Sequence, residues 1–117
     1  MPYIDGFVTP VPTLKKAEYI THTLKAAEVL KEHGVLKIME CWGDDVPEGK
    51  VTSFSMAVQR KDDETVVFSW MIWPSKQARD QGWEKIMKDP RMTDASNPIP
   101  FDGKRLIYGG FDVILEL

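Results

Sequence analysis

The segment Val66-Val67-Phe68-Ser69-Trp70-Met71-Ile72-Trp73 reads as a β-strand that is apolar on both faces, and few folds accommodate such a strand. Successive side chains in a strand point to opposite sides of the sheet. Val66, Phe68, Trp70 and Ile72 therefore share one face, and Val67, Met71 and Trp73 the other, with Ser69 the one polar interruption. The closing segment repeats the pattern, with Leu106, Tyr108 and Ile114 set against Ile107, Phe111, Val113 and Leu115. The sheet needs cover on both sides. The rest of the chain offers two helices, which can cover one side.

Those helices and the flanking strands follow from periodicity and punctuation. Tyr3 to Val8 is a strand with Tyr3, Asp5 and Phe7 on one face, and Thr9-Pro10-Val11-Pro12 is expected to end it. Thr13 is the expected N-cap of a helix over Leu14–Glu32, which stops at His33-Gly34. Its apolar arc gathers Tyr19, Ile20, Thr23, Leu24, Ala27 and Leu30. Val35–Trp42, Val51–Gln59 and Thr65–Trp73 read as strands, the last two joined through the charged run Arg60-Lys61-Asp62-Asp63-Glu64, a solvated loop. Ser75 caps a second helix that ends at Asp89-Pro90, a Pro-rich loop occupies 91–103, and Arg105–Leu115 is the last strand. The order is β-α-β-(β)-β-α-β. That is an α+β, ferredoxin-like βαββαβ-type sandwich with an extra strand in its central hairpin.

A chain of 117 residues, 43% hydrophobic, makes a single domain (1–117) with enough apolar material for its own core. The uncovered sheet face predicts a homodimer whose sheets pack face to face; the other way to cover it is the Pro-rich loop. One cysteine forms no internal disulfide and suits a reducing cytoplasm, and Cys41, with no cation or helix N-terminus nearby, reads as a small buried hydrophobe. Met1–Asp5 lacks the basic n-region and apolar run of a signal peptide, and no stretch is long and apolar enough to span a bilayer. A cytoplasmic location without membrane attachment is expected.

The net charge of −3 disfavours bulk attraction to nucleic acid. Tyr108-Gly109-Gly110-Phe111 superficially resembles an RNA-binding aromatic motif, but it lacks a leading basic residue and a basic stripe. No nucleic-acid partner is expected. No metal is expected either: His22 and His33 sit about 16 Å apart along one helix axis, too far to share an ion. A haem would need only one axial His, but both histidines read as surface residues and no cofactor is assigned.

Arg79 is the informative charge. It falls in the middle of the apolar arc formed by Ala78, Gly82, Trp83 and Ile86, where a guanidinium must be paired or solvated. Asp5 and Glu40 interrupt otherwise apolar strands and are its candidate partners. One reading is a small-molecule pocket between sheet and helices lined by Asp5, Glu40, Arg79 and Tyr108, partly lidded by the Pro-rich loop, with a carboxylate as base in a binder or cofactor-independent enzyme. The other is a structural or protein-interaction homodimer in which Arg79 forms an ion pair and does no chemistry. Gly82 signals close helix–sheet packing, and Gly6 with Gly109-Gly110 a bulge between neighbouring strands.

Several long segments carry a resemblance. They are Tyr3-Ile4-Asp5-Gly6-Phe7-Val8, Glu40-Cys41-Trp42 with Asp44-Asp45-Val46-Pro47, Glu64-Thr65-Val66-Val67-Phe68-Ser69-Trp70, Asp89-Pro90-Arg91-Met92, and Pro100-Phe101-Asp102-Gly103-Lys104-Arg105 with Tyr108-Gly109-Gly110-Phe111. Together they resemble the uncharacterised bacterial YbaA-like family, domain of unknown function 1428. The resemblance implies a dimeric α+β barrel, in a superfamily that also holds small monooxygenases, haem-handling enzymes and proteins without known activity. It carries no established reaction and no catalytic residues to transfer.

Overall fold

A computed structural model describes residues 1–117. Four strands, β1 (Tyr3–Pro12), β2 (Lys37–Trp42), β3 (Glu64–Trp73) and β4 (Ile107–Asp112), form one sheet in the order β2-β3-β1-β4. Every neighbouring pair is antiparallel. Helices α1 (Lys16–Glu32) and α3 (Lys76–Ile86) follow β1 and β3, which gives the ferredoxin-like α+β arrangement. The molecule is flat, 38 × 37 × 21 Å, the thickness of one sheet and one helix layer.

The register sorts the sheet into two unlike faces. Tyr3, Asp5, Phe7, Thr9 and Val11 lie opposite Trp73, Met71, Ser69, Val67 and Thr65, and this face receives the helices. Its main core joins Tyr3, Leu30, Val35, Met71, Trp73 and Ile86. The other face presents Phe68, Phe111, Ile107 and Met39, which are 44%, 59%, 43% and 41% exposed. The Pro-rich loop does not cover it. Asn97 and Phe101 of that loop pack instead against His22 and Tyr19 of α1, on the helix side.

Several local expectations need correction. The segment 51–59 is not a strand. Ser53 accepts a hydrogen bond from the Met56 amide and caps a one-turn helix, α2 (Phe54–Ala57), and Gln59 closes it with φ +50°. Phe54, Ala57 and Val58 have helical spacing while Phe54, Met56 and Val58 alternate, and the cap decides between the two patterns. The sheet accordingly has no extra strand. Strand β1 runs on through Pro10 and Pro12, paired with Val66 and Glu64. The Thr13 amide donates to Asp63 on the β3 side, so by alternation the two prolines turn their ring nitrogens towards the edge beyond β4, where no ladder bond is lost.

Thr13 does not cap α1. Its hydroxyl bonds Thr65 at 2.7 Å, and a 3₁₀ turn leads into the helix. Helix α1 is also rotated from its expected setting: Ile20 and Leu24 are exposed while Val29 is buried and Ala26 meets the core. The charged run is more than a solvated loop, because Glu64 is 7% exposed and takes a bidentate pair from Arg105 at 2.6 and 2.7 Å. Cys41, opposite Phe68, is half-buried on the open face rather than in the core.

Two glycine readings divide. Gly82 permits close packing as expected: a Cβ there would meet the Trp73 ring and the His33 carbonyl at 2.7 Å. Gly109 and Gly110 form no bulge, since β4 pairs with β1 without interruption. A Cβ on Gly110 would instead strike the Tyr3 hydroxyl at 2.5 Å and approach the Arg79 guanidinium at 3.0 Å. No helix is long and apolar enough to cross a membrane.

Candidate functional site

Asp5, the third residue of β1, projects onto the helix-covered face, where a bare carboxylate would carry a severe desolvation penalty. Four donor groups converge on it. The indoles of Trp73 and Trp83 each donate to Oδ2 at 2.8 Å, and Arg79 donates Nη2 to Oδ1 at 2.9 Å and Nε between both oxygens at 3.1 and 3.2 Å. Strand β1 supplies the carboxylate, β3 one indole, and α3 the other indole with the guanidinium. Ser75 starts α3 by accepting from the Ala78 amide, and the helical spacing of Arg79 and Trp83, one turn apart, points both at Asp5.

Arg79 is thus paired with Asp5, not Glu40. Its Nη1 donates to Asp80 at 3.0 Å, and its guanidinium carbon sits 5.4 Å from the Tyr3 ring centre. Hydrogen bonding to Asp5 pushes its pKa above the usual arginine range, with burial opposing. Both oxygens of Asp5 are occupied by donors. No lone pair is left to take a proton from a substrate, so Asp5 serves as an anchor and not as a base.

Beside this knot lies a cleft of about 430 Å³, bounded by Asp5, Phe7, Arg79, Trp83, Leu106 and Tyr108 and open to solvent. Its volume falls within the roughly 300–1,000 Å³ of small-molecule sites. Tyr108, 75% exposed, stands at the rim against Phe7, with ring centres 6.4 Å apart. Arg79 has one N–H on each terminal nitrogen beyond those given to Asp5 and Asp80.

Glu40 is elsewhere. It lines a second cavity of about 260 Å³ between the sheet, α1 and the Pro-rich loop, and its Oε1 accepts hydrogen bonds from Tyr19 and Ser69, both at 2.6 Å. Burial, then the neighbouring Glu40 charge, drives the Tyr19 pKa far above the usual tyrosine range, so Tyr19 remains a neutral donor. Phe7, Trp83 and Leu106 line both cavities, which therefore adjoin. Three of the four sequence candidates, Asp5, Arg79 and Tyr108, therefore share one cleft, and Glu40 belongs to its neighbour. Sequence reasoning missed Trp83 as a ligand of Asp5 and Tyr19 as a ligand of Glu40. The available signal was an aromatic residue with a polar tip on a buried helix face.

An antiparallel sheet in the order β2-β3-β1-β4, with α1 and α3 as its two connecting helices, places the chain in the ferredoxin-like class. The same fold occurs in a mutant of SnoaB, a cofactor-independent oxygenase from Streptomyces nogalater, at 12% identity and TM-score 0.62 over 99% of this chain and 96% of that one. It occurs also in a dimeric ferredoxin-like protein from an uncultured marine organism, at 15% identity and TM-score 0.57 over 100% of both chains. The family is narrower than the fold. The family described as "Protein of unknown function (DUF1428)" matches residues 2–103, and the uncharacterized protein YbaA of Escherichia coli strain K12 is 53% identical over 116 residues, 99% of each chain. This chain belongs to that family.

Asp5→Asn keeps the shape of the anchor but aims an amide NH₂ at converging donors. Urea unfolding is expected to show a loss of roughly 3–5 kcal/mol, the range for breaking a buried charge pair. A loss under 1 kcal/mol, the range of exposed pairs, would contradict the anchor role.

Proposed function

We propose that the chain is a homodimer that binds a small, largely apolar organic molecule in the Arg79 cleft, with an acceptor group of the ligand, such as a carboxylate or carbonyl, meeting the guanidinium. The observation that carries this reading is a solvent-connected cleft with apolar walls and a guanidinium whose orientation is already fixed by Asp5. A planar fork held in place loses little freedom when it engages an acceptor. SnoaB, which shares the fold, is a cofactor-independent oxygenase. Chemistry on an organic ligand without a cofactor is therefore compatible with this scaffold. A cytoplasmic setting suits the free thiol of Cys41.

The dimer rests on the open sheet face. Phe68, Phe111, Ile107 and Met39 make a contiguous apolar surface that the Pro-rich loop leaves uncovered. A second copy packed sheet to sheet would bury it, as in other two-sheet packings. The marine relative of this fold is dimeric.

Sedimentation equilibrium at micromolar concentration is expected to give twice the chain mass, and Phe68→Asp is expected to yield a monomer. A wild-type monomer would overturn the dimer. Biphenyl-para-carboxylate, an apolar acid of suitable size, is expected to bind the wild type in calorimetric titration. Arg79→Met and the cleft-filling Leu106→Trp should each weaken it at least tenfold. Binding that survives both substitutions, or no binding at millimolar acid, would refute the cleft as the site.

A further inference from the structure

We infer that Glu40 is a second polar pole of the same ligand site, and that the ligand is an elongated, mostly apolar molecule with an acceptor at the Arg79 end and a hydroxyl donor at the Glu40 end. The inference rests on the cleft reading above and extends it to ligand class.

The two cavities adjoin along Phe7, Trp83 and Leu106, side chains that line both. The far cavity is apolar at its walls, with Ala26, Leu30, Ile38 and Met71, and polar at Glu40, Tyr19 and Ser69. Both hydroxyls donate to a single oxygen of Glu40, Oε1. Oε2 has no protein partner and is the carboxylate oxygen available for a ligand, whereas both oxygens of Asp5 are taken. The two hydroxyl bonds hold the carboxylate in one orientation, so Tyr19 and Ser69 are positioning residues for Glu40.

Spacing sets the length of the molecule. Asp5 pairs with Met71 and Glu40 with Ser69, on strands that flank β3. At ~3.3 Å per residue and ~4.8 Å per strand, their Cα atoms lie about 12 Å apart. Two aromatic rings in line span a comparable distance. The charges define the polarity: a guanidinium recognises an acceptor, and a carboxylate with a free oxygen recognises an O–H or N–H donor.

The test compares biphenyl-para-carboxylate with the same acid carrying a hydroxyl at the far para position, by calorimetric titration of the full chain. The hydroxy acid is expected to bind the wild type about tenfold more tightly, the scale of one hydrogen bond to a charged group. Glu40→Gln should erase most of that difference, and Tyr19→Phe, which removes one of the two bonds on the carboxylate, should reduce it. Arg79→Met should weaken both acids equally. Equal affinity of the two acids for the wild type, or a preference that persists in Glu40→Gln, overturns the Glu40 pole and leaves the Arg79 cleft standing. If neither acid binds, or Arg79→Met changes neither, the cleft reading itself fails and this inference with it.

Discussion

A single buried carboxylate ties the sheet to its second helix. Asp5 is 3% exposed, yet it carries two indole N–H groups and a forked guanidinium, which together replace the water it gives up. Because these donors come from β3 and from two turns of α3, the carboxylate fixes the height and rotation of that helix over the sheet. Gly82 makes the approach possible by removing the Cβ that would meet Trp73 and the His33 carbonyl. Gly110 does the same on the far side, leaving room for Tyr3 and Arg79. The cleft wall formed by Arg79 and Trp83 is a consequence of this anchoring, so the stability of the fold and the shape of the site rest on the same atoms.

The second constraint is the pair of unlike sheet faces. Helices α1 and α3, the Pro-rich loop and both cavities lie on one side, and the other side carries the exposed apolar residues, with Phe54 of α2 against Phe68. Sheet-to-sheet assembly would leave the ligand side of each copy free, which separates the surface used for association from the surface used for binding.

Much of this was legible in the residues. The alternation of Val66–Trp73 and the helical periodicity around Arg79 specify local structure directly, and they led to the correct strand faces, the Ser75 cap and an Arg79 in need of a partner. The choice of that partner was not legible. Asp5 and Glu40 are equivalent interruptions of apolar strands, and only the strand order and register place Asp5 beneath α3 and Glu40 beneath α1. The rotation of α1 was hidden for a similar reason. Summed hydrophobicity favours burying Ile20 and Leu24, but the Tyr19 hydroxyl reaches Glu40 at 2.6 Å and Val29 packs inward, which sets the helix differently. Short segments were the least legible: in 51–59 a single Ser53 cap outweighs an alternating pattern, and in the charged run the value of Glu64 depends on Arg105, 41 residues away.

The central claim is that Asp5 holds both Trp73 and Trp83 through their indole N–H groups. Hydrogen exchange of the indole protons, followed by NMR with the resonances of Trp42, Trp70, Trp73 and Trp83 assigned, tests it directly. Trp73 and Trp83 are expected to exchange slowly, with comparable protection, and to become faster together in Arg79→Met, where the carboxylate loses its cation. Free exchange of either indole in the wild type, at the rate of a solvent-exposed tryptophan, would contradict the account.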